Sequence, residues 1–232
     1  MKLAIMQPYF FPYIGYWQLL SSVDVFVVYD NIQFVKNGWI HRNNITINDQ
    51  TKLFGLPLEK ASSTLNIVDR SLSKNSKSHI LKVLAQIENS YKSAPYFDIV
   101  FPILKEIFLN NNKNLFEYIF FSINRICQYL DIKTKLIVSS YVDIDHNLKS
   151  QDRVIAISKF LGADEYINTM GGRHLYDFEV FRENGIELRF FKPENIQYTQ
   201  LKEGFAPNLS IIDIMMFNSV KELQAMLKKG GF

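Results

Sequence analysis

The sequence predicts an α/β protein with a Rossmann-like parallel sheet and a helical insertion. Three observations carry that expectation. The apolar runs Leu3–Met6 and Val25–Tyr29 are continuous rather than alternating, as strands covered on both faces of a parallel sheet are. Each run ends in a polar turn, and the pattern strand, turn, helix recurs near both ends of the chain. Between about 75 and 132, three helical periodicities follow one another with no strand between them. Residues 1–232 therefore read as a single α/β domain with an insertion at about 75–132.

The elements follow in order. Residues 2–7 read as a buried strand and 12–22 as a helix with Tyr13, Trp17 and Leu20 on one face. Residues 24–29 form a second buried strand. Trp39 to Ile47 alternates loosely, and Leu53 to Leu58 can pair with it across Asn48-Asp49. The Ser-rich stretch 60–75 is a loop. Residues 78–91, 97–110 and 114–130 are helical, the third with Leu115, Ile119, Ile123, Ile126 and Leu130 on one face. Strand character resumes at 136–138. A helix over 150–161 ends at Gly162, placed as a C′ glycine. A strand at 165–168, a helix over 173–184 and a strand over 186–191 follow. The chain closes with helices over 209–218 and 220–229, and Ser219 stands as N-cap of the last.

Composition bounds the function. Of the 232 residues, 47% are hydrophobic, enough for a substantial core, and the net charge of +3 is spread along the chain. No basic block marks nucleic-acid binding. Cys127 stands alone, so neither a disulfide framework nor a cysteine-based zinc site can be built, and its apolar neighbours predict a buried thiol. Four histidines are too few and too scattered for a metal site. The start lacks a signal-peptide pattern and no run reaches membrane-span length, so the chain reads as a cytoplasmic protein without a membrane span.

Five segments are candidate sites. The turn QPYFFPYIGY places Gln7, Tyr13, Gly15 and Tyr16 between a strand and a helix start, where backbone amides can hold an anion. The plainer reading is a Pro-rich turn whose aromatics cap the core. After the second strand come Asp30, Lys36, Trp39, His41, Arg42 and Asn43. Lys36 and Arg42 suit phosphate or carboxylate, Trp39 a stacked ring, and His41 general-base chemistry. A solvated loop with a structural tryptophan is the alternative. Asp152 and Arg153 fall in the first turn of a helix, where an arginine opposes the helix dipole and an anionic partner would compensate. YINTMGGRHLYD places Asn168, Gly171, Gly172 and His174 at a strand-to-helix turn, a phosphate-cradle shape that αβ geometry alone also explains. In FAPNLSIIDIMMFN, Ser210 and Asp213 fit an acidic variant of the capping box. His79 and His146 have no partners nearby in sequence and read as surface residues.

The first of these turns resembles the His-x-Gly-His signature of nucleotidylyltransferases and class I aminoacyl-tRNA synthetases. It occupies the same place between first strand and helix, with Tyr13-Ile14-Gly15-Tyr16 carrying tyrosine at both histidine positions. The resemblance implies a nucleotidylyltransferase-like (HUP-like) sheet and an ATP seat. A neutral phenol, however, offers only a hydrogen bond to a charged phosphate.

Taken together, MQPYFFPYIGYWQLL, FVVYDNIQFVKNGWIHRNNI, ILKVLAQIENSYK, SAPYFDIVFP, LKSQDRVIAI, YINTMGGRHLYD, GIELRFF and LSIIDIMMFN resemble the WbqC-like protein family over nearly the whole chain. Thr169 departs from the proline expected before the glycine pair. The resemblance implies a place in O-antigen or other surface-polysaccharide biosynthesis. It also implies recurring polar positions at Gln7, Tyr13, Tyr16, Asp30, Lys36, Trp39, Arg42, Asn43, Asp152, Arg153, Asn168, Gly171, Gly172 and Tyr176. The expected activity is aminoacyl or acyl transfer, or ATP-dependent ligation, onto a nucleotide-activated amino sugar. Lys36, His41 and Arg42 are the expected catalytic residues, Lys36 and Arg42 holding the pyrophosphate or carboxylate and His41 taking the amine proton, with ATP the cofactor of the ligase version. A nucleotidylyltransferase and a non-catalytic nucleotide-sugar binding protein of a biosynthetic complex remain open alternatives.

Overall fold

The computed structural model describes residues 1–200 and 204–232. Five parallel strands form the central sheet: β1 (Lys2–Met6), β2 (Val25–Val28), β5 (Lys135–Val138), β6 (Glu165–Thr169) and β7 (Glu187–Phe191). Their spatial order is β5-β2-β1-β6-β7, and every pairing is parallel. The chain thus winds outward from β1 on one side, then returns to add β6 and β7 on the other. The reversal lies between β1 and β6, so the crevice at their carboxyl ends is the expected ligand position in such a sheet.

Alternation along the strands divides the core in two. Ala4, Phe26 and Val28 face α1 (Ile14–Ser21), α4 (Leu115–Leu130) and α8 (Val220–Leu227). Leu3, Ile5, Val25 and Val27 face α5 (Ser150–Leu161) and α6 (Phe178–Glu183). Apolar residues are needed on both faces because helices cover both.

The polar excursion after β2 includes a hairpin of β3 (Arg42–Ile47) and β4 (Gln50–Gly55). Asn48 and Asp49 form its turn, and both have positive φ, 48° and 58°. This is the backbone of the tight two-residue turn that matches strand twist, and asparagine and aspartate tolerate it well. Three helices follow, α2 (Ser76–Tyr91), α3 (Phe97–Phe108) and α4, close to the ranges the periodicity predicts. All five apolar positions expected on one face of α4 are buried. Gly162 caps α5 at φ 72°, and Ser219 with Glu222 completes a capping box on α8. Cys127 is buried, which pushes its thiol up to about 12.

Two local expectations need correction. The helix expected over 173–184 begins only at Phe178, where the Asp177 side chain accepts the Glu179 amide; Met170–Leu175 is a 3-10 segment instead. Asp213 does not complete a capping box in α7 (Ile211–Phe217). It is buried, where it accepts hydrogen bonds from Tyr91, Tyr198 and Gln200 at 2.7–3.1 Å.

Candidate functional site

The carboxyl edge of the sheet carries an unusual group of buried polar residues. β2 ends in Tyr29-Asp30-Asn31, and β5 ends in a 3-10 turn starting at Ser139. Asp30 is only 1% exposed. Its Oδ1 accepts from the Ser139 hydroxyl at 2.6 Å and the Ser140 amide at 2.9 Å, while its Oδ2 is buried with no partner. Arg153, on the first turn of α5, is 7% exposed. It donates to the Asn31 carbonyl at 3.3 Å and to His146 Nδ1 at 3.1 Å, and its guanidinium lies 5.0 Å from the centre of the Tyr29 ring. Its Nε is buried and unpartnered. Neither Asp30 nor Arg153 takes part in an ion pair among the described residues.

His146 is exposed as expected, yet it belongs to this group. Asn31 Nδ2 and Arg153 both approach its Nδ1 at 3.1 Å. Both contacts converge on Nδ1, so this nitrogen ties Asn31 to Arg153. Nothing in the neighbouring sequence points to this, because Asn31 lies 115 residues away. Burial pushes the Tyr29 hydroxyl up to about 12, against the opposing charge of Arg153.

Across the switch point, Asn168 at the end of β6 is committed to shaping the edge. Its Nδ2 donates to the Tyr166 and Tyr176 hydroxyls at 3.0 Å, and its Oδ1 accepts the Thr169 amide at 2.7 Å. Gly172 makes room for that side chain: a Cβ there would sit 3.2 Å from it. Gly171, Arg173 and His174 are beside it but face open solvent, as does Asp152 on α5.

The turn after β1 is built differently from an anion seat. Tyr16 is 3% exposed, packs on Tyr9, Trp17 and Phe26, and donates its hydroxyl to the Gln7 carbonyl at 3.2 Å. The Tyr13 ring lies over Gly15, where a Cβ would meet it at 2.5 Å. The glycine therefore admits the protein's own side chain over the start of α1. These residues do not fit ATP phosphates at this turn, since one phenol is spent on the Gln7 carbonyl and the other ring occupies the space over Gly15.

The polar cluster of residues 36–43 divides. Arg42 holds the Gly38 and Asn37 carbonyls at 3.0 and 2.7 Å, and Lys36 is exposed. His41 packs against Phe34, with its Nδ1 buried and unpartnered. Burial first, then the Arg42 and Arg70 charges, lower its pKa to about 4, which makes it a weak base at neutral pH. It lines a hollow of about 320 Å³ beside Gly55 and His79. Asn43, 6% exposed, donates to the Phe11 carbonyl at 2.7 Å. Phe11 is a non-glycine residue at φ 47°, and Ser210 holds the same carbonyl at 2.9 Å.

That fixed turn walls a cleft of about 500 Å³, lined by Tyr9, Pro12, Tyr13, Trp39, Asn43 and Asn44 on one side. Pro193, Asn195, Pro207 and Asn208 complete it. Trp39 is 50% exposed there. No helix of the described residues is long and apolar enough to cross a membrane, and no group of three or more candidate metal ligands occurs among them.

The chain is similar to an uncharacterized protein of Mycobacterium tuberculosis, with 28% identity over 219 residues and 92% of each chain covered. No solved structure matches. The model of the WbqC-like protein family matches residues 7–225, taking in both the Asp30–Arg153 edge and the cleft beneath Trp39, and the chain belongs to that family.

Proposed function

We propose that this chain transfers an acyl or aminoacyl group to a nucleotide-activated amino sugar in surface-polysaccharide assembly, with the sugar nucleotide bound at the Asp30–Arg153 edge. One observation carries the reading: two buried charges of opposite sign share the carboxyl edge without pairing, and each keeps a polar atom without a partner. Burying an unpaired charge is costly, so such groups are retained where a ligand supplies the counterpart. Arg153 matches a phosphate or pyrophosphate. The free oxygen of Asp30 matches an amine or hydroxyl of the same substrate. In the transfer, the amine nitrogen attacks the donor's carbonyl carbon, the Asp30 carboxylate takes the amine proton, and the donor's leaving group departs.

The ATP-dependent version loses support from the Tyr13–Tyr16 turn, where the chain's own ring covers the helix start. The donor is then expected to arrive already activated.

Titration calorimetry with nucleotide-activated amino sugars, free nucleotides and ATP tests this. Sugar nucleotides should bind with salt-dependent affinity, and Arg153→Met should weaken binding at least about tenfold. Sugar nucleotides that fail to bind, or that bind Arg153→Met as well as the parent, would sink the reading. Pyrophosphate exchange with ATP and glycine is expected to be absent.

A further inference from the structure

We propose that the cleft under Trp39 is a binding site for a neutral saccharide, chemically distinct from the Arg153 edge. The proposal goes beyond the transfer reaction above and stands without it. The cleft's lining is tyrosine, tryptophan, proline and asparagine only, with no lysine, arginine, histidine or carboxylate among the described residues. Among the described lining residues, a phosphate, carboxylate or ammonium group would find no opposite charge. A flat, half-exposed indole presents an apolar face to a pyranose ring. Its backbone is fixed: the neighbouring Ile40 is fully buried, and its carbonyl accepts the Phe10 amide at 2.9 Å.

The asparagines supply the second half of the chemistry. Asn43 is spent on the Phe11 carbonyl and the Asn44 amide. The side chains of Asn44, Asn195 and Asn208 make no hydrogen bond among the described residues and line the cleft. Each amide offers donors and an acceptor together, the pairing that adjacent sugar hydroxyls present in return. A volume of about 500 Å³ lies within the usual range for small-molecule sites. The wall is set beforehand, because Phe11 is held at positive φ by Asn43 and Ser210; strained backbone of this kind persists where surrounding structure over-determines it.

The two tryptophans make the test direct. Trp17 is fully buried, whereas Trp39 is half exposed, so acrylamide quenching reads Trp39. Glucose, galactose, N-acetylglucosamine and short neutral oligosaccharides are titrated against the full chain, with a proline-rich peptide in parallel. At least one saccharide is expected to protect Trp39 and shift its emission to the blue, equally at low and high salt. Calorimetry should show Trp39→Ala weakened at least about tenfold, Asn195→Ala weakened less, and Arg153→Met unchanged. No protection by any of the saccharides overturns the proposal, as does protection by the peptide alone. Binding that salt screens away or that Arg153→Met abolishes overturns it too, by assigning the ligand to the charged edge. Failure here leaves the calorimetry on sugar nucleotides untouched, so the two readings fall separately.

Discussion

His41 has the side chain most suited to proton transfer near neutrality. The structure nonetheless packs it on Phe34 between the charges of Arg42 and Arg70, and its pKa falls from 6.5 to about 4. Such a shift is also a statement about stability. Between pH 6.5 and 4 the unfolded chain binds a proton at this ring and the folded chain does not. The contribution is fully present above 6.5, is lost as pH falls towards 4, and is flat below that. Allowing for the solvent that reaches the ring, it amounts to about 2 kcal/mol. Urea unfolding measured across this window should show the loss, and His41→Asn should flatten it; an unchanged slope in the variant would assign the effect elsewhere. Arg153 presents a different case. In the sequence it is an awkward cation on a helix's first turn, and the structure gives that awkwardness a place at the sheet edge. The identity of such residues is legible in a sequence, but their burial is not. Partners such as Asn31 and His146 lie 115 positions apart, and only the fold brings them together.

At the scale of elements, local chemistry is a good guide where the element is held by its own residues. The Asn48-Asp49 turn, the glycine cap of α5 and the Ser219 N-cap all form as expected, because each is satisfied within a few positions. Asp213 departs from its local pattern, since three side chains from elsewhere compete for its carboxylate. The glycine pair after β6 departs too: neither Gly171 nor Gly172 adopts positive φ, and Asp177 sets the helix start instead. The turn after β1 is held jointly by β3 and the start of α7. Asn43→Ala removes one of two side chains on the Phe11 carbonyl and leaves the Asn44 amide without its acceptor. We expect a loss of about 2 kcal/mol, read as a lower urea midpoint with unchanged slope, together with weaker quenching protection at Trp39. A midpoint equal to the parent's would show that Ser210 alone suffices.

For the whole molecule, the question is whether the three helices α2 to α4 behave as a separate body. Their buried residues, among them Ile87, Leu104 and Ile123, belong to the same apolar cluster as Trp17 of α1 and Phe26 of β2. A shared core predicts one cooperative transition. In a Trp39→Phe background, Trp17 emission and far-ultraviolet dichroism should therefore lose signal at the same denaturant concentration. A helical signal that disappears first would divide the chain in two. The parallel sheet is legible in its continuous apolar runs, as physics requires of strands covered twice. The order of those strands is not, because periodicity carries no information on which neighbour each strand chooses.

The clamp on Phe11 has a bearing on how the chain is made. Ser210 reaches back 199 residues to the Phe11 carbonyl, and the Ile211 amide bonds the Pro12 carbonyl at 3.0 Å. The first strand of the sheet therefore leaves the ribosome long before the residue that finishes its turn, which lies 199 positions further on. Until position 210 emerges, Asn43 is the one of the two side chains present to hold the Phe11 carbonyl. Vectorial synthesis thus delivers the sheet's first strand before its wall can set, and the cleft is completed only when Pro193, Asn195, Pro207, Asn208 and the Ser210 clamp arrive.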